Sequence, residues 1–284
     1  MSISIPSIQD KLRNIAKATG KDFQLILTRY FQERLLFRLS QSKHCDNFCL
    51  KGGALLYAFE REASRPTLDL DLLSMKIRLD KTRFVGIFKE ICEVEHFGDG
   101  VQFDDSKITI SEIMEQRRYA GLEIKIPVSL GTMRQVMKVD IGFGDVVTPL
   151  PNMMTYPTLL DMDAPAIKAY SAETVIAEKF EAMIDLSESN SRMKDFYDVY
   201  QLLSKKRFDP ETLQRAVTQT FINRRTVVRR KHPLFETAFA NDPTRLKLWE
   251  GFLYRFKLSD SVAFSEVMQC IREHLLPIYE AIAQ

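Results

Sequence analysis

The sequence predicts an α+β fold, a mixed sheet flanked by helices, followed by a mainly helical C-terminal lobe. Three observations predict it. Residues 101–141 alternate apolar and polar with period two, as half-buried strands do. The first 41 residues and most of the chain after Ser171 carry apolar residues at helical spacing. Between them, residues 47–73 read as strand, glycine pair, helix and strand. A Pro- and Met-containing stretch, Thr148 to Tyr156, looks like a linker. It sets an expected division into residues 1–155 and 156–284.

The whole chain bounds the function. A chain of 284 residues can bury a sizeable core and is expected to hold two closely packed domains. The formal charge is only +2, so affinity for a polyanion must come from local patches. Four cysteines, at 45, 49, 92 and 270, show no disulfide framework, which suits a reduced, cytoplasmic setting. His44, Cys45 and Cys49 lack a second Cys/His pair at ligand spacing, which argues against zinc. No charged-then-apolar leader pattern and no apolar run of ~18 residues is present, so no membrane association is expected.

In chain order, Ser7 to Thr19 reads as an amphipathic helix ended by Gly20. Asp22 to Gln41 reads as a longer one whose part is to buttress the sheet. Asn47 to Leu50 is short and apolar, as a buried strand would be. Gly52 and Gly53 break it, and Ala54 to Arg61 has helix-forming composition. Glycines between a strand and a helix let backbone N–H groups approach an anion, and the helix N-terminus adds partial positive charge. Leu68 to Leu73 reads as a second strand, with Asp69 and Asp71 on one face and Leu68, Leu70 and Leu72 toward the core. Two carboxylates ~6–7 Å apart along a strand repel each other unless a cation lies between them. Such hard oxygen ligands suit Mg²⁺ (or Mn²⁺) shared with substrate phosphates. Either feature alone has a plainer explanation, a turn and a solvated edge strand. Their order and spacing together are those that metal-assisted nucleotidyl transfer needs.

Lys81 to Cys92 reads as a helix, and strand-like segments follow at 101–103, 108–110, 119–128 and 135–141. In the last, Met137, Val139 and Ile141 share one face, with Val136, Lys138 and Asp140 on the other. A carboxylate in an apolar strand is costly to bury without a partner, so Asp140 joins Asp69 and Asp71 as a candidate metal ligand. Ser171 starts a helix in which Lys179 sits at an amphipathic border, where its ammonium could meet a triphosphate as a point charge. The next helix carries Asp195 and Asp198 three apart on one face, which reads as a charged face in water. Further helices are expected at 210–221, 233–240, 243–256 and 261–283. The basic runs are Lys205, Lys206 and Arg207, and Arg224, Arg225, Arg229, Arg230 and Lys231. The second is the stronger candidate for contact with RNA phosphates.

These pieces carry a family resemblance. Lys51-Gly52-Gly53-Ala54-Leu55, Arg65-Pro66-Thr67-Leu68-Asp69-Leu70-Asp71, Lys138-Val139-Asp140-Ile141, Ala177-Glu178-Lys179 and Lys194-Asp195-Phe196-Tyr197-Asp198, in that order, resemble the AbiEii/AbiGii nucleotidyltransferase toxins. The match spans most of residues 47–203. It implies a polymerase-beta-like nucleotidyltransferase core with a helical C-terminal lobe. It also implies a toxin–antitoxin or phage abortive-infection setting, a cognate antitoxin, and an NTP as substrate. Some members extend the 3′ end of tRNA. The first motif often has Gly-Ser where this chain has Gly52-Gly53, which removes a hydroxyl contact to phosphate. Thr67 holds a family Ser/Thr position and is a candidate for modification by the antitoxin. Carried over, Asp69, Asp71 and Asp140 hold metal, and Lys51, Gly52, Gly53, Thr67 and Lys179 hold the nucleotide. Asp195 belongs to the fourth motif and has a less defined part. Two other readings stand beside this one: a nucleotidyltransferase acting on a small molecule of the antibiotic type, and a binding protein without catalysis on the same scaffold. The basic run speaks against the former and the three intact carboxylates against the latter.

Overall fold

A computed structural model describes residues 4–61, 64–96, 98–115, 119–258 and 262–283. Two compact units divide the chain. One is Met1–Gly144 with Asn152–Ala169, and the other is Asp145–Pro151 with Tyr170–Gln284. No helix among the described residues is long and apolar enough to cross a membrane.

The first unit starts with α1 (Ile5–Thr19) and α2 (Phe23–Gln41), capped at their N-termini by the side chains of Ser4 and Asp22. Then come β1 (Phe48–Lys51), α3 (Gly52–Glu60), β2 (Asp69–Ser74), α4 (Lys81–Cys92), β3 (Val101–Phe103), β4 (Thr109–Glu115), β5 (Tyr119–Leu130) and β6 (Met133–Phe143), with β7 (Asn152–Thr155) and β8 (Ala166–Ala169) completing one sheet. Its order is β3-β5-β6-β2-β1-β8-β7, with β4 also paired to β5. The pairs β2–β6 and β1–β8 are parallel and the others antiparallel, so the sheet is mixed, as expected.

Two sequence expectations are revised here. The 148–156 stretch is not all linker: Asn152–Thr155 is β7, held by antiparallel pairing with β8, which runs beside β1. That pairing groups residues 152–169 with the first unit, so the division does not follow the 155/156 boundary. Leu68 lies before β2 and is 58 % exposed, while Leu70 and Leu72 are fully buried as expected.

α2 supports the sheet, but it is not amphipathic. Every residue from Leu25 to Leu39 is buried, including Arg29, Gln32, Glu33, Arg34 and Arg38. Partners inside the unit compensate that burial. Arg38 makes a bidentate pair with Asp99 at 2.7 and 3.3 Å. Gln32 donates to the Leu68 carbonyl, and Arg29 stacks 4.1 Å from the Tyr57 ring. Glu33 accepts the Leu159 N–H at 2.8 Å and pairs with Arg34 at 2.9 Å.

Burial pushes the Glu33 carboxyl up to about 7, against the opposing pull of Arg34 and the Leu159 amide. A glutamate in the unfolded chain releases its proton near 4.5. The folded state therefore holds the extra proton between those values, and stability falls as pH rises through that window, by about 3 kcal/mol. Glu33→Gln should flatten this slope in urea unfolding at pH 5 and pH 8. A slope equal to that of the parent protein would show that the buried charge does not set it.

The second unit is helical: α5 (Ala172–Leu186), α6 (Met193–Ser204), α7 (Pro210–Arg224), α8 (Thr237–Ala240), α9 (Pro243–Phe256) and α10 (Phe264–Ile282). Ser171 caps α5, and Asp209 and Asp242 cap α7 and α9 ahead of prolines in the first turn. The expected start of the last helix at Ser261 lies outside the described residues. Aromatic residues from five helices fill this core, Phe180, Phe196, Phe221, Trp249, Phe264 and Tyr279 among them.

Candidate active site

β1 ends at Lys51 and the chain enters α3 directly at Gly52, whose φ is +66°. That left-handed conformation favours glycine. Close approach demands it as well, since a Cβ at Gly52 would lie 2.7 Å from Asp71 Cβ and nearer still to its carboxylate. A Cβ on Gly53 would lie 2.6 Å from Thr67 Cβ. The two glycines thus seat the first turn of α3 directly on the Thr67–Asp71 segment. The Gly53 N–H donates to Asp71 Oδ2 at 3.3 Å, so one amide expected to meet an anion already faces a carboxylate. The Thr67 hydroxyl donates to the Asp69 carbonyl at 3.4 Å.

Strand register assembles the rest. In β2 and β6, which are parallel, Asp71 lies beside Asp140 and Asp69 beside Lys138. Across β1, Lys51 lies beside Asp71, and across β5, Glu123 lies beside Asp140. Register partners on neighbouring strands share a face at ~4.8 Å strand spacing. One row therefore runs Lys51, Asp71, Asp140, Glu123 across four strands, with Asp69 in the next row. On β6 the opposite face carries Met137, Val139 and Ile141, all buried, as the alternation predicts.

Sequence reasoning put Lys138 on this face with Asp140 but missed Glu123 and Lys125 there. Glu123 pairs with Lys125 at 2.8 Å and Lys138 at 3.6 Å, and these ammonium groups hold its carboxyl below the usual range. The signal was present in the alternation Leu122-Glu123-Ile124-Lys125-Ile126, whose polar members must share the face of Asp140.

Among the described residues, no three Asp, Glu, His or Cys side chains converge into a closed ligand set for a metal. The donor chemistry still fits a divalent cation of the Mg²⁺ kind. Such ions take one or two carboxylates and complete their shell with water and substrate phosphate oxygens. Asp71 and Asp140, side by side on parallel strands with Asp69 along the same edge, supply that partial set.

The second unit holds Lys179 and Asp195 together. The Lys179 ammonium lies 2.6 Å from Asp195 and 2.9 Å from Asp198, and Arg192 Nε lies 2.6 Å from the other Asp195 oxygen. Asp195 and Asp198 are buried, so they are not a solvated helix face. Burial alone would raise the Asp195 pKa, but Lys179 and Arg192 outweigh it and hold the carboxyl below its usual range. The cluster therefore stabilises the fold at neutral pH, and this contribution is lost as pH falls through the lowered pKa. Lys179→Ala should cost about 3–5 kcal/mol, because it strips two buried carboxylates, Asp195 and Asp198, of the cation they share. The Lys179→Ala/Asp195→Asn double variant should recover much of that loss in urea unfolding. A double variant no more stable than the single one would rule out charge burial as the cause.

The basic run splits. Arg225, Arg229, Arg230 and Lys231 are exposed. Arg224 is not available to phosphates, because it is 7 % exposed and held by Asp145 at 2.8 Å, Glu181 at 2.8 Å and Glu178 at 3.5 Å.

With this geometry in place, comparison with known proteins identifies the lineage. A family profile described as "Nucleotidyl transferase AbiEii toxin, Type IV TA system" matches residues 34–270. The chain belongs to the AbiEii family. It is a nucleotidyltransferase of a type IV toxin–antitoxin system, and that membership implies an antitoxin partner. No curated protein sequence matches it. Among solved structures it is similar to a Helicobacter pylori protein described as a candidate nucleotidyltransferase, with TM-score 0.50 and 14 % identity over 88 % of this chain and 92 % of that one. It is also similar to JHP933 from Helicobacter pylori, with TM-score 0.47 and 15 % identity over 88 % and 89 %. At this identity the first likeness supports the fold alone, a nucleotidyltransferase core with a helical C-terminal region.

Proposed function

We propose that this AbiEii protein transfers a nucleoside monophosphate from an NTP to the 3′ end of an RNA, with tRNA the leading acceptor and blocked translation the outcome. The observation that carries the chemistry is the registered row of Asp71 and Asp140 beneath the Gly52–Gly53 helix start. The tRNA acceptor rests on the family resemblance, and the exposed basic residues 225 and 229–231 support a polyanionic one.

Asp69, Asp71 and Asp140 would hold Mg²⁺ or Mn²⁺. When bound, such ions supply charge neutralisation at the attacking and leaving oxygens. The residues of the chain position the reactants. The N-terminal amides of α3 would face the triphosphate, with Lys51 beside Asp71 and Thr67 beneath Gly53 setting the floor. The family resemblance assigns Lys179 to the triphosphate too, although its ammonium is already held by Asp195 and Asp198. A terminal RNA hydroxyl oxygen bonds to the α-phosphorus as the α–β bridging P–O bond breaks. Pyrophosphate leaves with that electron pair, and the hydroxyl proton passes to the carboxylate of Asp140. Much of the catalysis is then positioning and electrostatics.

Incubating the protein with total RNA and each α-labelled NTP tests this reading. Label at RNA 3′ ends that requires a divalent cation supports it. Label on small molecules alone, or no label with any NTP, would refute it.

A further inference from the structure

We propose that the polar face of β5 and β6 carries the phosphate backbone of the acceptor RNA up to the carboxylate row, with Lys138, Lys125 and Arg134 as its contacts. This deepens the reading above and rests on RNA being the acceptor.

The sheet order decides which side of the row is free for the acceptor. Across the sheet the strands run β5, β6, β2, β1. The glycine turn and the start of α3 follow β1, so the triphosphate is assigned to the β1 side. Asp140 stands on β6, the other side, and is the carboxylate assigned to the attacking hydroxyl. An RNA end that reaches Asp140 therefore arrives over β5 and β6.

Register shows what it would meet there. Lys138 is two residues from Asp140 on β6, one step of ~6.6 Å along the strand on the same face. Lys125 lies directly beside it on β5, and Thr109 of β4 lies beside Lys125. The next row is Pro127 with Val136, and the one after is Ser129 with Arg134, ~20 Å from Asp140. Outward of the carboxylates, these two strands thus present three cations, a hydroxyl, two uncharged residues and no acid. The opposite face of both strands is apolar and buried, with Ile124, Ile126, Met137 and Val139 packed beneath, so the backbone under the strip is fixed.

The strip is accessible. The Lys125 and Lys138 side chains are 43 % and 48 % exposed, and Arg134 is exposed. Glu123 holds both ammonium groups, at 2.8 and 3.6 Å. One carboxylate shared by two lysines leaves a net positive charge, and ion pairs this exposed exchange partners at little cost. A phosphate arriving from solvent can therefore draw either lysine away from Glu123. Charge complementarity to a polyanion, in line with the attacking position, points to an RNA backbone. Contacts of this kind fix register and carry no base information.

The test is fluorescence anisotropy of labelled rU12 and rA12 at two salt concentrations, without NTP, on variants whose melting temperatures are recorded. Lys125→Gln/Lys138→Gln should bind both oligonucleotides about tenfold more weakly, with a salt slope shallower by about 1.4, for two phosphate contacts to a single strand. Lys125→Arg/Lys138→Arg should restore the slope, since a phosphate accepts either cation. Arg134→Gln, far from the carboxylates, should lower the slope by about half as much. Glu123→Gln frees both lysines and should tighten binding, an effect that a merely structural pairing would not produce. In transfer assays the glutamine double variant should raise KM for RNA and leave KM for NTP unchanged. A folded double variant with parental affinity and slope overturns the strip. So does a raised KM for NTP with RNA binding unchanged, which would give the lysines to the triphosphate. Labelling of total RNA by the parent protein is scored separately. Normal labelling with an unchanged slope discards the strip alone. Absent labelling discards the acceptor reading, and the strip with it as a path to the carboxylates.

Discussion

Asp71→Asn should lower nucleotidyl transfer by about a thousandfold or more, with the fold intact. The size follows from losing a negative ligand whose metal supplies several kcal/mol of charge stabilisation. The fold should survive because the amide is nearly isosteric. It still fits against Gly52 and still offers an oxygen to the Gly53 N–H. Asp140→Asn, one strand away in the same row, should behave alike. Assaying each variant over a Mg²⁺ and Mn²⁺ titration, with melting temperature alongside, separates chemistry from stability. Transfer at parental rates in either variant would remove the row from the active site. A toxicity assay in cells should follow the same order.

The second large effect concerns stability. Arg224→Ala should destabilise the helical unit by about 3–5 kcal/mol, since Asp145, Glu178 and Glu181 would be left facing one another in a buried site. The Arg225/Arg229/Arg230→Ala triple variant removes three exposed charges and should leave urea unfolding within about 0.5 kcal/mol of the parent. Its effect should appear in RNA affinity, with a salt slope shallower by about two. Neighbours in sequence would then separate into one structural residue and three binding residues. A triple variant with an unchanged salt slope would instead leave the exposed run as a surface for the antitoxin.

How legible each part was depends on how local its cause is. The Asp69–Asp71 pair was readable because strand geometry fixes faces within two residues, and Asp140 was readable for the same reason. The pairing of Lys179 with Asp195 was not, because helical spacing locates an ammonium on a face without saying which residues pack opposite it. Arg224 looked like a member of a basic patch because charge runs are counted along the chain. Its partners lie 43 and 79 residues away. α2 was found as a helix, yet its buried Arg and Glu residues look like a solvent face until Asp99, Leu159 and the Tyr57 ring are brought beside them. β8 was missed because Ala-Ile-Lys-Ala has too little pattern to stand out. β7 was hidden by the prolines that flank it.

The return of the chain through β7 and β8 bears on how the protein can be dissected. The polypeptide passes between the units at 144/145, 151/152 and 169/170, so neither unit is one continuous piece. A fragment ending at 155 would keep the carboxylate row but lose β8, the strand that runs beside β1 at Leu50. The side of β1 that β8 covers would then be open as an unpaired strand edge, a template for association with other chains. Ending the fragment at Ala169 retains that strand. The longer fragment should be recovered as monomer by size-exclusion chromatography at concentrations where the shorter one aggregates.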